Sequence, residues 1–303
     1  MRCRFRDRGR LIAAGLVLLL LSSCANSGGG AEPDRGAIDA TSVTGDIAIQ
    51  PDSSPSPSSW TRGKGGQQGD SLQNMNFGGK TRIFAVHVPS SYSEPRGVPL
   101  LLHFHGWRPL PAGVEDEIGY VWSKTADSNG FIAVAPEGLP CPELNPSDPY
   151  GCFKEAVDGP FVLALTGYLG ERYNIDLTRV YLSGHSGGSF FVQGHGLGEA
   201  MRYAAAAEFS GGCIGSSSDY GNSCSVYDAI AKAAKRKLPM FVTHNPVDQI
   251  VPVQYSADLL KLLKANGHPT QAIDHYDGGK TGHSIDPTTT PVVWKWLAGF
   301  VRP

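Results

Sequence analysis

Residues 179–191 read RVYLSGHSGGSFF, from Arg179 to Phe191, and the interpretation of this stretch decides the fold. Val180, Tyr181 and Leu182 have the character of a short buried strand. Gly184-His185-Ser186-Gly187-Gly188 then fits the pattern G-x-S-x-G, and Ser189-Phe190-Phe191-Val192 begins a helical segment. Strand, sharp turn and helix are the setting in which this pattern forms a nucleophile elbow, with the serine hydroxyl pushed out above a sheet. The flanking glycines have a steric reason, since a Cβ at Gly184 or Gly188 would meet neighbouring backbone. A phosphate cradle would also use glycines, but the lysine of G-x-x-x-x-G-K-[ST] is missing. An ordinary Gly/Ser-rich turn is the remaining alternative, so the rest of the chain has to decide.

Outward from this turn, apolar strands alternate with helices. Strands are expected at 81–88, 99–104, 131–135, 203–209, 239–243 and 271–276, and helices at 158–173, 257–265 and 291–301. The run at 99–104 is continuously apolar, as a central parallel strand should be, and leads into His105-Gly106-Trp107. Alternation over about 220 residues predicts a single doubly wound α/β domain, its mostly parallel sheet covered by helices on both faces.

A serine made nucleophilic needs a base, an acid that orients the base, and donors for an oxyanion. On elbow-bearing sheets the order is Ser, then Asp or Glu, then His. Asp248, in HNPVDQIVP just past a strand, and His283, in Gly282-His283-Ser284 before the last helix, satisfy both order and position. Asp274 and Asp277 compete with Asp248 for the acid; His268 and His275 compete with His283 for the base. Asp274, His275, Asp277, His283 and Asp286 could alternatively be grouped as metal ligands, but no i, i+4 spacing or ligand motif supports a metal, and no cofactor is expected. His185 is assigned to packing.

From about Asn76 onward the chain resembles the secreted α/β-hydrolase esterases that include poly(3-hydroxybutyrate) depolymerases, feruloyl esterases and acetylxylan esterases. The likeness is carried by LLHFHGW at 101–107, GHSGG at 184–188, HNPVDQIVP at 244–252, GHS at 282–284 and, most specifically, YNIDLTRVYLSGHSGG at 173–188. It implies the α/β-hydrolase fold, with Ser186 as nucleophile, His283 as general base and then acid, and Asp248 fixing the imidazole. It also implies backbone N–H groups of Trp107 and Gly187 as oxyanion donors, each worth roughly 3 kcal/mol at a transition state. Where the family has His-Gly, this chain has His244-Asn245; asparagine tolerates positive φ, so the turn is expected to survive. The implied substrate is a carboxylic ester, on a polyhydroxyalkanoate-like polymer or as a feruloyl or acetyl ester on polysaccharide. A prolyl-oligopeptidase-type peptidase would share the triad, and a catalytically inactive surface-binding lipoprotein could share the scaffold. Tyr150, Phe153 and Tyr220 are candidates for the substrate pocket.

The amino-terminal quarter is of another kind. Residues 1–24 carry five arginines and then an eleven-residue apolar run, 11–21, the layout of a signal peptide. With those arginines and Asp7 removed, the net charge falls from −2 to −6, which gives no electrostatic case for nucleic acid. Leu21-Ser22-Ser23-Cys24 resembles a lipobox, so Cys24 is expected to be lipidated and the protein exported and anchored to the cell envelope by that lipid alone; a plain secretory cleavage with an incidental cysteine, which would leave the protein secreted, is the alternative. Residues 25–72, rich in Gly, Ser and Pro, are expected to form a disordered tether ahead of a catalytic domain over 73–303 acting as a monomer. Cys141, Cys152, Cys213 and Cys224 suggest two disulfides, for which three connectivities exist; 141–152 and 213–224 close short loops and are the simplest.

Overall fold

The structure, a computed structural model, describes residues 59–303 apart from 94, 143–145, 147–149, 216–221 and 276–280. The segment 1–24 with Cys24, most of the expected tether, Tyr220 and Asp277 lie outside the described residues. Strands β1 (Gly69–Phe77), β2 (Lys80–Val88), β3 (Val98–Phe104), β4 (Ile132–Pro136), β5 (Ile175–His185), β6 (Ala206–Phe209), β7 (Met240–His244) and β8 (Thr270–Asp274) form an eight-stranded sheet. Their spatial order is β1-β2-β4-β3-β5-β6-β7-β8. β2 is antiparallel to both its neighbours, and every other pairing in this sheet is parallel.

β3, β4, β6 and β7 are buried along their whole length because both faces are covered. Among the described residues seven helices do the covering: α1 (Val114–Ile118), α2 (Lys124–Asn129), α3 (Glu155–Arg172), α4 (Gly187–Gly198), α5 (Cys224–Ala233), α6 (Val253–Ala265) and α7 (Thr290–Leu297). Leu100, Leu102, Val180 and Leu182 pack in one layer with Phe161 of α3, Val192 of α4, Tyr227 of α5 and Leu259 of α6. Leu101 and Tyr181, one residue out of phase, pack in the other with Ile118, Ala126 and Trp294 from α1, α2 and α7. This is the doubly wound arrangement expected from the alternating pattern.

Folded structure begins earlier than the composition suggests. Thr61 N donates to Ile175 O (3.0 Å), Thr61 Oγ1 to Tyr173 O (2.7 Å) and Gly65 N to Arg172 O (2.7 Å). Trp60 makes an antiparallel bridge with Asp176. Residues 59–66 are therefore a strap across the start of β5, and the tether expected over 25–72 overlaps the domain at 59–72. β1, also unexpected, has few apolar residues and is held by nine register pairs with β2. Cys141 is bonded to Cys152 and Cys213 to Cys224; closing loops this short contributes about 2–3 kcal/mol each. No helix among the described residues is long and apolar enough to cross a membrane.

Candidate active site

β5 ends at His185 and α4 begins at Gly187, which leaves Ser186 alone at the turn with φ 51° and ψ −118°. Such a backbone costs a non-glycine residue about 1–3 kcal/mol and persists only where its surroundings enforce it. Here Ser186 N donates to Phe209 O (2.9 Å), and Ser186 O accepts from Ser189 N (2.9 Å). The glycines allow the close approach: a Cβ on Gly184 would lie 2.4 Å from Gly188 O, and one on Gly188 would lie 2.0 Å from Phe104 O.

The turn aims the serine at two other loops. Ser186 Oγ lies 2.8 Å from His283 Nε2, and His283 Nδ1 lies 2.7 Å from Asp248 Oδ2. Asp248 is wholly buried at the side chain, whereas His283 keeps 15% exposure. Asp248 Oδ1 accepts from the N–H groups of Ile250 (2.8 Å) and Val251 (2.9 Å). Burial pushes this carboxyl up, but hydrogen bonds from His244, His283 and Val251 outweigh it and hold it well below the usual carboxylate range. An Asp248 that stays ionised beside a histidine whose other nitrogen faces a hydroxyl can orient a base and stabilise its cation.

The competing residues do other work. His275 bonds Thr243 Oγ1 (2.8 Å) and Ser284 O (3.1 Å), which braces the loop carrying His283. His268 bonds Leu238 O and Ala231 O at the other end of β7. Asp274 lies opposite His244 in the sheet register, and Asp286 caps a short turn by accepting from Thr288 N. Among the described residues no group of three or more His, Cys, Asp or Glu side chains could hold a metal ion. His185 does more than pack: its Nε2 lies 2.7 Å from His283 O and so supports the backbone of the base. Burial, then the neighbouring His283, pushes the His185 ring down to about 3, which makes it a neutral donor.

The loop after β3 forms the opposite wall. His105 Nδ1 lies 2.6 Å from Gly106 O, and its Nε2 accepts from Gly138 N (3.0 Å), so the ring carries its proton on Nδ1. Burial pushes this ring down to about 4. With the carbonyl of the Gly106–Trp107 peptide held by His105, the trans N–H of Trp107 points the other way. Gly106 approaches the nucleophile closely enough that a Cβ there would lie 3.0 Å from Ser186 Cβ, and the Trp107 indole lies over Gly187. Gly187 is the first residue of α4, so its N–H has no acceptor within the helix and sits at the positive end of the helix dipole. Arg108 continues the loop and is tied to Glu117, which accepts from His103 Nε2 (3.1 Å).

Ser186, His283, Trp107, Arg108, Glu117, Tyr120 and Ile285 line an open cleft of about 430 Å³. A recess of about 500 Å³ elsewhere, lined by Leu163, Leu177 and Tyr203, holds neither nucleophile nor base, so size does not locate the site. Of the expected pocket aromatics, Phe153 instead packs in the core against Phe104 (5.1 Å between centroids) and His105 (4.9 Å). Tyr150 belongs to a small sheet, paired with Pro109, and neither residue lines the cleft. The expectation for Asn245 also needs correcting. Among the described residues the non-glycine residues with positive φ are Arg62, Ser186 and Ser210, and Asn245 is not one of them. Its side-chain Oδ1 accepts from Val247 N (3.1 Å), so a side-chain bond shapes the turn without a left-handed backbone. His244 lies behind Asp248, 3.3 Å from its Oδ2, and is joined through Ser256 to Glu208, two residues that no sequence motif marks.

A bifunctional acetylxylan esterase/xylanase of Neocallimastix patriciarum is 31% identical to this chain over 196 residues, 64% of its length. The chain spans 26% of that protein, and no protein-family model matches it. Among solved structures, a thermostable esterase superposes with a TM-score of 0.57 at 20% identity, covering 77% of this chain and 63% of the other. An S-formylglutathione hydrolase from Agrobacterium tumefaciens gives 0.59 at 18% identity, covering 79% and 97%. The strand order, the serine turn between β5 and α4, and these superpositions lead to one conclusion: the chain has the α/β-hydrolase fold.

Proposed function

We propose that the chain is an exported serine esterase acting on carboxylic esters carried by an oligomer or polymer. The observation that carries this is the Ser186–His283–Asp248 chain of contacts at 2.8 and 2.7 Å, with Ser186 on a left-handed turn facing an open cleft. In this mechanism Ser186 Oγ attacks the ester carbonyl carbon while His283 Nε2 takes its proton. The carbonyl oxygen becomes an oxyanion held by the N–H groups of Trp107 and Gly187. As the tetrahedral centre collapses, His283 returns the proton to the departing alcohol and leaves an acyl-serine. Water then repeats the sequence and releases the acid. No step calls for a cofactor.

The acetylxylan esterase named in the related protein favours acetyl esters on polysaccharide over polyhydroxyalkanoate-like polymers. Lipidation at Cys24 would hold the enzyme at the cell envelope after export. The test is hydrolysis of a short-chain p-nitrophenyl ester by wild type and Ser186→Ala. The variant should fold normally and lose at least about 10⁴ in kcat. If it keeps more than about a hundredth of wild-type kcat, the serine mechanism is wrong; wild type with no ester turnover would favour a binding lipoprotein.

A further inference from the structure

Three buried polar side chains that the mechanism above does not use stand in a line behind Asp248. Glu208 lies near the end of β6, His244 ends β7 and Ser256 is in the first turn of α6, and each is 0% exposed. Glu208 Oε1 accepts from Ser256 Oγ (2.9 Å), and Glu208 Oε2 accepts from Gly211 N (2.7 Å). Ser256 Oγ lies 2.7 Å from His244 Nδ1. On the other side of the ring, His244 Nε2 lies 2.9 Å from Val251 O and 3.3 Å from Asp248 Oδ2.

The proton count follows from these contacts. A serine hydroxyl has one proton, and beside an ionised Glu208, with Gly211 O also 3.3 Å from Oγ, that proton points to this side and leaves Oγ to face His244 Nδ1 as an acceptor. The other ring nitrogen faces a carbonyl and a carboxylate, which are acceptors only. With Glu208 ionised, both nitrogens of His244 therefore carry protons. The geometry points to His244 as a positioning residue for the Ser186–His283–Asp248 arrangement: a buried imidazolium, held charged by Glu208 through Ser256, that fixes Asp248 Oδ2 for His283.

The electrostatics agree. Burial pushes the His244 ring down, but the Asp248 hydrogen bond, the Glu208 charge and the Val251 carbonyl outweigh it and raise it above the ordinary histidine value. Burial raises Glu208 to about 7, against the pull of His244, Ser256 and Gly211, so the ionised carboxylate that the count requires prevails only above that pH. Asp274 stands opposite His244 in the register of β7 and β8, and His275 follows it, bonded to Thr243. The inference rests on the reading of Ser186, His283 and Asp248 as a triad, but its first test does not.

That test is side-chain ¹⁵N NMR of histidine in the full chain carrying Ser186→Ala, at pH 7.5. His244 should show two protonated ring nitrogens, and adding Glu208→Gln should convert it to a ring with one. A neutral His244 in the first sample, or an unchanged ring in the second, would overturn the inference. The kinetic arm uses a p-nitrophenyl ester. His244→Gln should lower kcat about tenfold with KM within about twofold, and Glu208→Gln, which provides a second route if the first variant does not fold, should do likewise. In an Asp248→Asn background either change should cost less than about twofold, because the residue acts through Asp248. A full tenfold cost in that background would also overturn it. Retained activity in Ser186→Ala would instead count against the triad reading and leave the NMR result standing.

Discussion

Two buried polar constellations in this protein have similar chemistry and different fates. On β2, Arg82 pairs with Asp158 of α3 at 2.6 Å, with side chains 1% and 2% exposed. Asp158 Oδ2 also accepts from Lys154 N (2.7 Å) at the start of that helix, and the Arg82 guanidinium carbon sits 3.7 Å from the Phe161 ring centroid. Opposite charges meet there, walled in by core, on ordinary backbone. At the carboxyl ends of β5 and β7, Asp248 is equally buried, yet it leads through His283 to a serine on left-handed backbone at the edge of a cleft. Burial and pairing are common to both. What sets the second apart is a graded exit to solvent and a strained residue at that exit.

Three experiments can break or sharpen the contrast. The largest effect belongs to Asp248→Asn, which should lower kcat by up to about 10⁴ by removing the charge and freeing the His283 tautomer. Asp274→Asn should lower it far less, and the opposite ranking would move the acid to β8. Next comes Asp158→Ala, which leaves Arg82 as an unpaired buried cation. It should destabilise the fold by about 3–5 kcal/mol in denaturant melts while the folded fraction keeps kcat within about twofold. A tenfold loss of kcat would mean the two constellations are coupled. The smallest effect is in acid. Asp248 titrates lower in the folded protein than its ordinary 3.8, so its charge contributes stability that is complete above about that pH. That contribution is lost as pH falls through the folded value. The Tm advantage of wild type over Asp248→Asn should therefore hold down to about pH 4 or 5 and shrink as the pH falls further, and a gap that stays constant in acid would assign the advantage to packing.

The sheet and the serine turn were legible because each strand carries its own apolar pattern, and because Gly184 and Gly188 have no other steric reason to flank Ser186. Asp248 and His283 were legible from order alone, since chemistry on such a sheet gathers at strand ends. β1 was not, because GDSLQNMNF has little apolar alternation and owes its form to backbone pairing with β2. The helical segment at 114–129 was hidden by a π-helical turn at Gly119–Ser123, which breaks the 3.6-residue period and puts Tyr120 into the cleft wall. Glu208, in a run of alanines, showed nothing of its role, because its partners come from α6 and β7. At Asn245 the turn survives as expected but by another means, because a positive-φ backbone and a side-chain hydrogen bond are two ways of making one turn, and residue type does not choose between them.

The strap at 59–66 also sets a direction. It meets the sheet where β5 begins, beside Asp176, whereas Ser186 follows the last residue of the same strand. Ten residues of extended chain separate the two, on the order of 30 Å. Any load applied through residue 59 would enter at the base of β5, in shear against hydrogen bonds to Tyr173 and Ile175. The strap and the cleft that Ser186 lines therefore lie at opposite ends of β5.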